Sequence, residues 1–203
     1  MADAPPDSER TALKEWSVVV DALARGAVIA LVRKGGIREQ RAGFVVRHDR
    51  FLLYPTYFHE NTAGLAPELR PDLHELPSPP APDAVHVTHV THVTHVAHVA
   101  GVWHVETLDP LRRIEGEHPL AWQAVESRFH YRGTLGVQVV ALRIARLQTP
   151  VDVPELARYR GCVSWVELGQ DVDTAGAEPV VAAADFGRRL DAIAQHLGPR
   201  SAS

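Results

Sequence analysis

The chain has 203 residues, 45% hydrophobic and 23% charged, which is the profile of one globular domain, or of one domain with a large insertion. A single cysteine, Cys162, excludes an internal disulfide framework, and no apolar run approaches the length of a membrane span. The net charge is −4 but unevenly spread: residues 33–50 and 128–160 each carry six cations against two carboxylates. If those two basic segments meet in space, they make a local anion site within an acidic chain; otherwise they are two solvated strand faces.

Residues 1–9 are polar and acidic, unlike a signal peptide, and are expected to form a disordered leader. With the lone cysteine, this points to the cytoplasm. From Ser8 to Arg25, Leu13, Trp16, Val19, Val20 and Leu23 recur at helical spacing, and Gly26 follows as a stop. Val28–Val32, Phe44–Val46 and Phe51–Tyr54 are expected strands, the first leading into Arg33-Lys34-Gly35-Gly36 and the last ended by Pro55 or placed by it at a sheet edge. Residues 61–84 are expected to be loop, with Pro77–Pro82 an exposed connector.

A His-Val-Thr repeat follows, with His86, His89, His92, His95 and His98 three apart. Clustered imidazoles suit zinc, copper or nickel. In a strand, however, period three sends successive histidines to opposite faces, and in a helix it spreads them round the axis. The tract therefore reads as a duplicated extended segment with weakly specified register, and residues 61–101 as a loop-and-repeat insertion. Trp103–Leu108 is an expected strand, Pro119–Tyr131 a helix, Val137–Leu147 a long strand and Val163–Leu168 a short one. Pro179–Leu197 is a final helix, ended by Gly198-Pro199. The predicted fold is α+β: N-terminal, central and C-terminal helices around a mixed or antiparallel sheet, with a partly closed barrel as one form of it. Residues 10–198 form the single domain and 199–203 a disordered tail.

Several sequence blocks carry a resemblance. They are Ala12-Leu13-Lys14-Glu15-Trp16, Leu31-Val32-Arg33-Lys34-Gly35-Gly36-Ile37, Phe51 to Tyr57, and Leu142-Arg143-Ile144 with Tyr159-Arg160-Gly161-Cys162-Val163-Ser164-Trp165-Val166. In wording and order, over roughly residues 10–168, the chain is similar to a bacterial family known as domain of unknown function 1802, from which the histidine tract departs. The resemblance implies no reaction, cofactor or partner.

Candidate ligand-binding residues come from the same blocks. Arg33, Lys34, Gly35, Gly36 and Arg38 place cations round a Gly-Gly turn, which can cradle a phosphate. No phosphate-binding loop or dinucleotide fingerprint occurs. Only Lys14 and Lys34 among the 21 basic residues are lysines, which draws attention to Lys34. Tyr54, Tyr57, His59 and Trp165, with Arg143 from the second basic segment, supply stacking and charge of the kind used on single-stranded nucleic acid, although buried core aromatics look the same. His59-Glu60 and His48-Asp49 offer metal ligands or acid–base pairs, but neighbours on a strand point apart. Cys162 reads as a buried thiol. No catalytic residue, metal or cofactor is assigned. The leading expectation is a module binding nucleic acid or a nucleotide in a basic, aromatic-lined pocket. The alternatives are a metal-dependent nuclease, whose [DE]-x-Lys pair is absent at both Lys14 and Lys34, and a non-catalytic protein-interaction domain.

Overall fold

The computed structural model describes residues 7–34, 46–56, 62–69, 90–131, 135–159 and 163–200. In chain order the elements are β1 (Ser8–Trp16), α1 (Ser17–Ala24), β2 (Ala30–Arg33), β3 (Arg50–Thr56), β4 (Val90–Val105) and α2 (Leu108–Arg112). There follow α3 (Trp122–Phe129), β5 (Val137–Pro154), β6 (Trp165–Asp173), β7 (Glu178–Pro179) and α4 (Ala183–Leu197). The strands form one mixed sheet in the order β2-β5-β4-β3-β1-β6, with β7 beside β5; among the described strands, only β1 and β3 run parallel. The fold is thus α+β with a mixed sheet and with helices at the expected N-terminal, central and C-terminal places. The sheet does not close into a barrel, because β2 and β6 end it and, among the described residues, do not pair with each other.

The expected N-terminal helix is half strand. Ser8–Trp16 lies between β3 and β6 and buries both faces, Ala12 on one side and Leu13 on the other. Two rows of backbone partners outweigh a helical spacing that only Val19, Val20 and Leu23 use in a helix. Ser8 and Glu9, assigned to the leader, belong to this strand. Gly26 does end α1: its φ is +68°, a left-handed value that glycine adopts without cost, and its N–H donates to Leu23 O at 2.9 Å. Pro55 neither closes β3, which continues to Thr56 alongside β1, nor marks a sheet edge, since β3 lies between β1 and β4. Of the expected strand at 44–46, Val46 lies outside any strand, while Phe44 and Val45 lie outside the described residues.

The largest correction concerns the histidine repeat. Residues 90–101, expected to belong to an insertion, are the first part of β4, an interior strand bonded to β3 and β5. Its register irregularities, between Val93 and His95 and between Val99 and Gly101, reconcile a period of three with a strand period of two. Val93 and Val96 both reach one core cluster although three residues apart, and Val99 and Val102 both pack on another. Gly101 is required here for space: a Cβ on it would lie 2.5 Å from the buried indole of Trp103.

Alternation divides the core. Phe51, Leu53, Val140, Leu142 and Ile144 face α1. Val32, Trp103, Val139 and Ala141 face α2, α3 and α4. Leu52, Tyr54, Val96, Ala145 and Leu147 pack with Tyr159 and β6 residues Val166, Leu168 and Val172.

Candidate functional site

Cross-strand register places Arg50 of β3 opposite His98 of β4, and His98 opposite Arg143 of β5. Residues directly opposite in a sheet share a face, so three basic side chains form a row across three interior strands. Adjacent strands are about 4.8 Å apart, which puts the Cα atoms of the two arginines roughly 10 Å from each other with that of His98 between them. All three are half-buried.

The two arginines have distinct ties. Arg50 Nη2 donates to Thr174 Oγ1. The Arg143 guanidinium lies 5.7 Å from the ring centroid of Phe186, in the first turn of α4. Among the described residues, neither Arg143 nor His98 has an ion pair or a side-chain hydrogen bond. Burial, then Arg50 and Arg143, holds His98 below the ordinary histidine value, with Glu9 acting in the opposite sense. Glu9 is itself engaged: its Oε1 accepts from the backbone N–H groups of Arg10 and Thr11, both at 2.9 Å. Repulsion between two cations at such a separation is only about 0.4 kcal/mol in water and about 1.7 kcal/mol at an effective dielectric of 20, so the fold can carry the row without an anion.

A second charged cluster bridges the sheet's edges. Arg33, on edge strand β2, donates to Glu15 Oε2 on β1 and, at 2.7 Å, to Ser164 Oγ just before β6. Arg128 of α3 donates to Val32 O at 2.7 Å, and Glu15 acts on it favourably against burial and Arg33. A space of about 10 Å³ lies beside Glu15 and Arg128, at the lower limit for one water. Lys34 donates to Phe129 O at 3.0 Å and Gly136 O at 2.7 Å, and burial lowers its pKa. These groups tie β2, α3 and the β6 approach together through the protein's own carbonyls, the Glu15 carboxylate and the Ser164 hydroxyl.

Of the sequence-proposed residues, Arg33 and Lys34 belong to this bridge and Arg143 to the row. Tyr54 is buried with its ring 5.9 Å from that of Tyr159, and Trp165 packs edge-on to Phe51 at 5.0 Å and to His48 at 5.1 Å. Gly35, Gly36, Arg38, Tyr57, His59 and Cys162 lie outside the described residues. Arg50 and Arg143, one from each basic segment, lie two strands apart on either side of His98. Sequence reasoning missed His98, set aside with the repeat, and Phe186. Arg143 was visible as a cation on the expected strand Val137–Leu147, but the pairing partner of each strand was not.

An open cleft of about 520 Å³ lies elsewhere, lined by Glu68, Glu115 and Trp122 among others. Arg112 already covers the Trp122 ring at 3.8 Å and sits 3.6 Å from Glu115, so the cleft's aromatic face and one carboxylate are engaged. Among the described residues, no group of three histidine, cysteine, aspartate or glutamate side chains is arranged to hold a metal. No helix among them is long and apolar enough to cross a membrane.

A family model described as a domain of unknown function, DUF1802, matches residues 12–192. The chain belongs to the DUF1802 family. No curated protein and no solved structure matches it. The matched stretch of the DUF1802 domain runs from β1 through most of α4 and takes in every member of the cationic row.

Proposed function

We propose that this DUF1802 domain is a binding module for phosphate-bearing ligands, a nucleotide or the backbone of a single-stranded nucleic acid, held along the Arg50–His98–Arg143 row. The observation that carries the reading is the register itself: two arginines flank a histidine on neighbouring interior strands, and two of the three have no ion pair among the described residues. Like charges aligned across strands lower stability, whereas an anion seated between them turns that term favourable. Lys34, the lysine that a metal-dependent nuclease would place beside a carboxylate, is bonded to two backbone carbonyls, which favours binding over hydrolysis.

Fluorescence anisotropy with labelled RNA, single-stranded DNA and a labelled nucleotide, over a salt series, tests this and separates polymer from free nucleotide. With two or three phosphate contacts at about 0.7 each, the log–log salt slope for a single strand is expected near −1.4 to −2. Arg143→Gln should weaken binding and flatten the slope by about 0.7. Absence of salt-sensitive binding to all three probes, or an unchanged affinity in Arg143→Gln, overturns the proposal.

A further inference from the structure

We infer that His98 makes ligand binding pH-dependent, gaining a proton from solvent as a phosphate group enters between Arg50 and Arg143. The inference rests on the anion-binding reading above and adds a regulatory property to the same row. Its basis is geometric. His98 is the middle member of the row, one strand spacing from each arginine, so any anion bridging the two arginines must lie against the imidazole. Neither ring nitrogen is held by a hydrogen bond among the described residues.

The charged groups facing His98 are Arg50 from β3, Arg143 from β5 and Glu9 from β1. From α4, the neutral ring of Phe186 faces Arg143, and the adjacent Asp185 is paired with Arg188 at 2.8 Å. Without ligand, burial and the two cations keep the imidazole neutral near pH 7, the one carboxylate being outweighed. An entering phosphate supplies negative charge at the row's centre and reverses that local field. The imidazole then binds a proton, and the imidazolium N–H donates to a phosphate oxygen. One proton is taken up per anion bound, and by linkage affinity rises as pH falls, by up to about tenfold per pH unit.

The probe is labelled oligodeoxythymidylate, whose phosphodiesters keep their charge across the range tested. Its affinity is measured from about pH 5.5 to about pH 8, bracketing the ordinary histidine range, in the full chain and in His98→Asn. Wild-type affinity should rise toward acid pH, while His98→Asn, compared with its own affinity at pH 8, should gain less than about twofold on acidification, the other histidines being common to both. Equal pH dependence in the two proteins overturns this inference and leaves the anion site standing. Absence of binding at every pH removes both. Where His98→Asn fails to fold, titration calorimetry of the wild type in two buffers of different ionisation enthalpy reads proton uptake directly, and zero uptake overturns the inference.

Discussion

Glu15 carries its charge at a position only 7% exposed, and the reason it can do so is Arg33 and Arg128. A buried carboxylate alone would be protonated or excluded; here Oε2 accepts from Arg33 and Oε1 from the Trp16 N–H at 3.1 Å. The same contact joins β2 to β1, strands that do not pair and that lie near opposite ends of the sheet order. Removing the charge while keeping the shape leaves two guanidinium groups without their counterion. Glu15→Gln should therefore lower unfolding stability by roughly 3 kcal/mol, the scale for breaking a buried ion pair, with no effect on the separate Arg50–His98–Arg143 row. Urea denaturation of the variant, together with its anisotropy-measured affinity, checks both halves; a stability change below about 1 kcal/mol would place Glu15 among exposed pairs.

At the scale of elements, β4 shows how a repeat becomes a strand. Composition made it extended, since valine and threonine favour strands, but its place in the sheet depended on β3 and β5 lying on either side. Period three conflicts with period two, and nothing local announces the irregularities that resolve the conflict. Similarly, Leu13 and Trp16 matched a helical face while their backbone partners were in β3 and β6. What was legible were segments whose own pattern agrees with their surroundings: α4, the core of β5, and the glycine stop after α1. The candidate site was legible as two basic segments and illegible as a row, because register across β3, β4 and β5 is a long-range property. A core substitution separates a structural repeat from a peripheral insertion. Val93→Asp puts a carboxylate where the valine is fully buried in the cluster shared with β6. The variant should lose cooperative thermal unfolding, read by circular dichroism; a melt matching the wild type would return the tract to the periphery.

For the whole molecule, pH is the lever that its buried histidines make available. His95 is 8% exposed and His118 1%, and both are driven from the usual 6.5 to about 4, mainly by burial, with Arg146 adding to the effect on His95 and Arg128 on His118. His118 Nδ1 accepts from the Leu120 N–H at 3.3 Å, so its ring is fixed in the neutral form by the backbone. In the unfolded chain both titrate near 6.5, so between 6.5 and about 4 the unfolded state binds more protons than the folded state. Stability from these groups is therefore complete above pH 6.5, is lost progressively as pH falls toward 4, and changes no further below it. At 1.36 kcal/mol per unit, each histidine accounts for roughly 3 kcal/mol over that window. Urea midpoints measured across it should fall steeply, and His118→Gln should remove about half of the fall while lowering stability at neutral pH. A midpoint that stays level from about pH 7 to about pH 4.5 would show that these imidazoles reach water, whereas a steep fall that His118→Gln leaves intact would assign the acid sensitivity to His95 within β4.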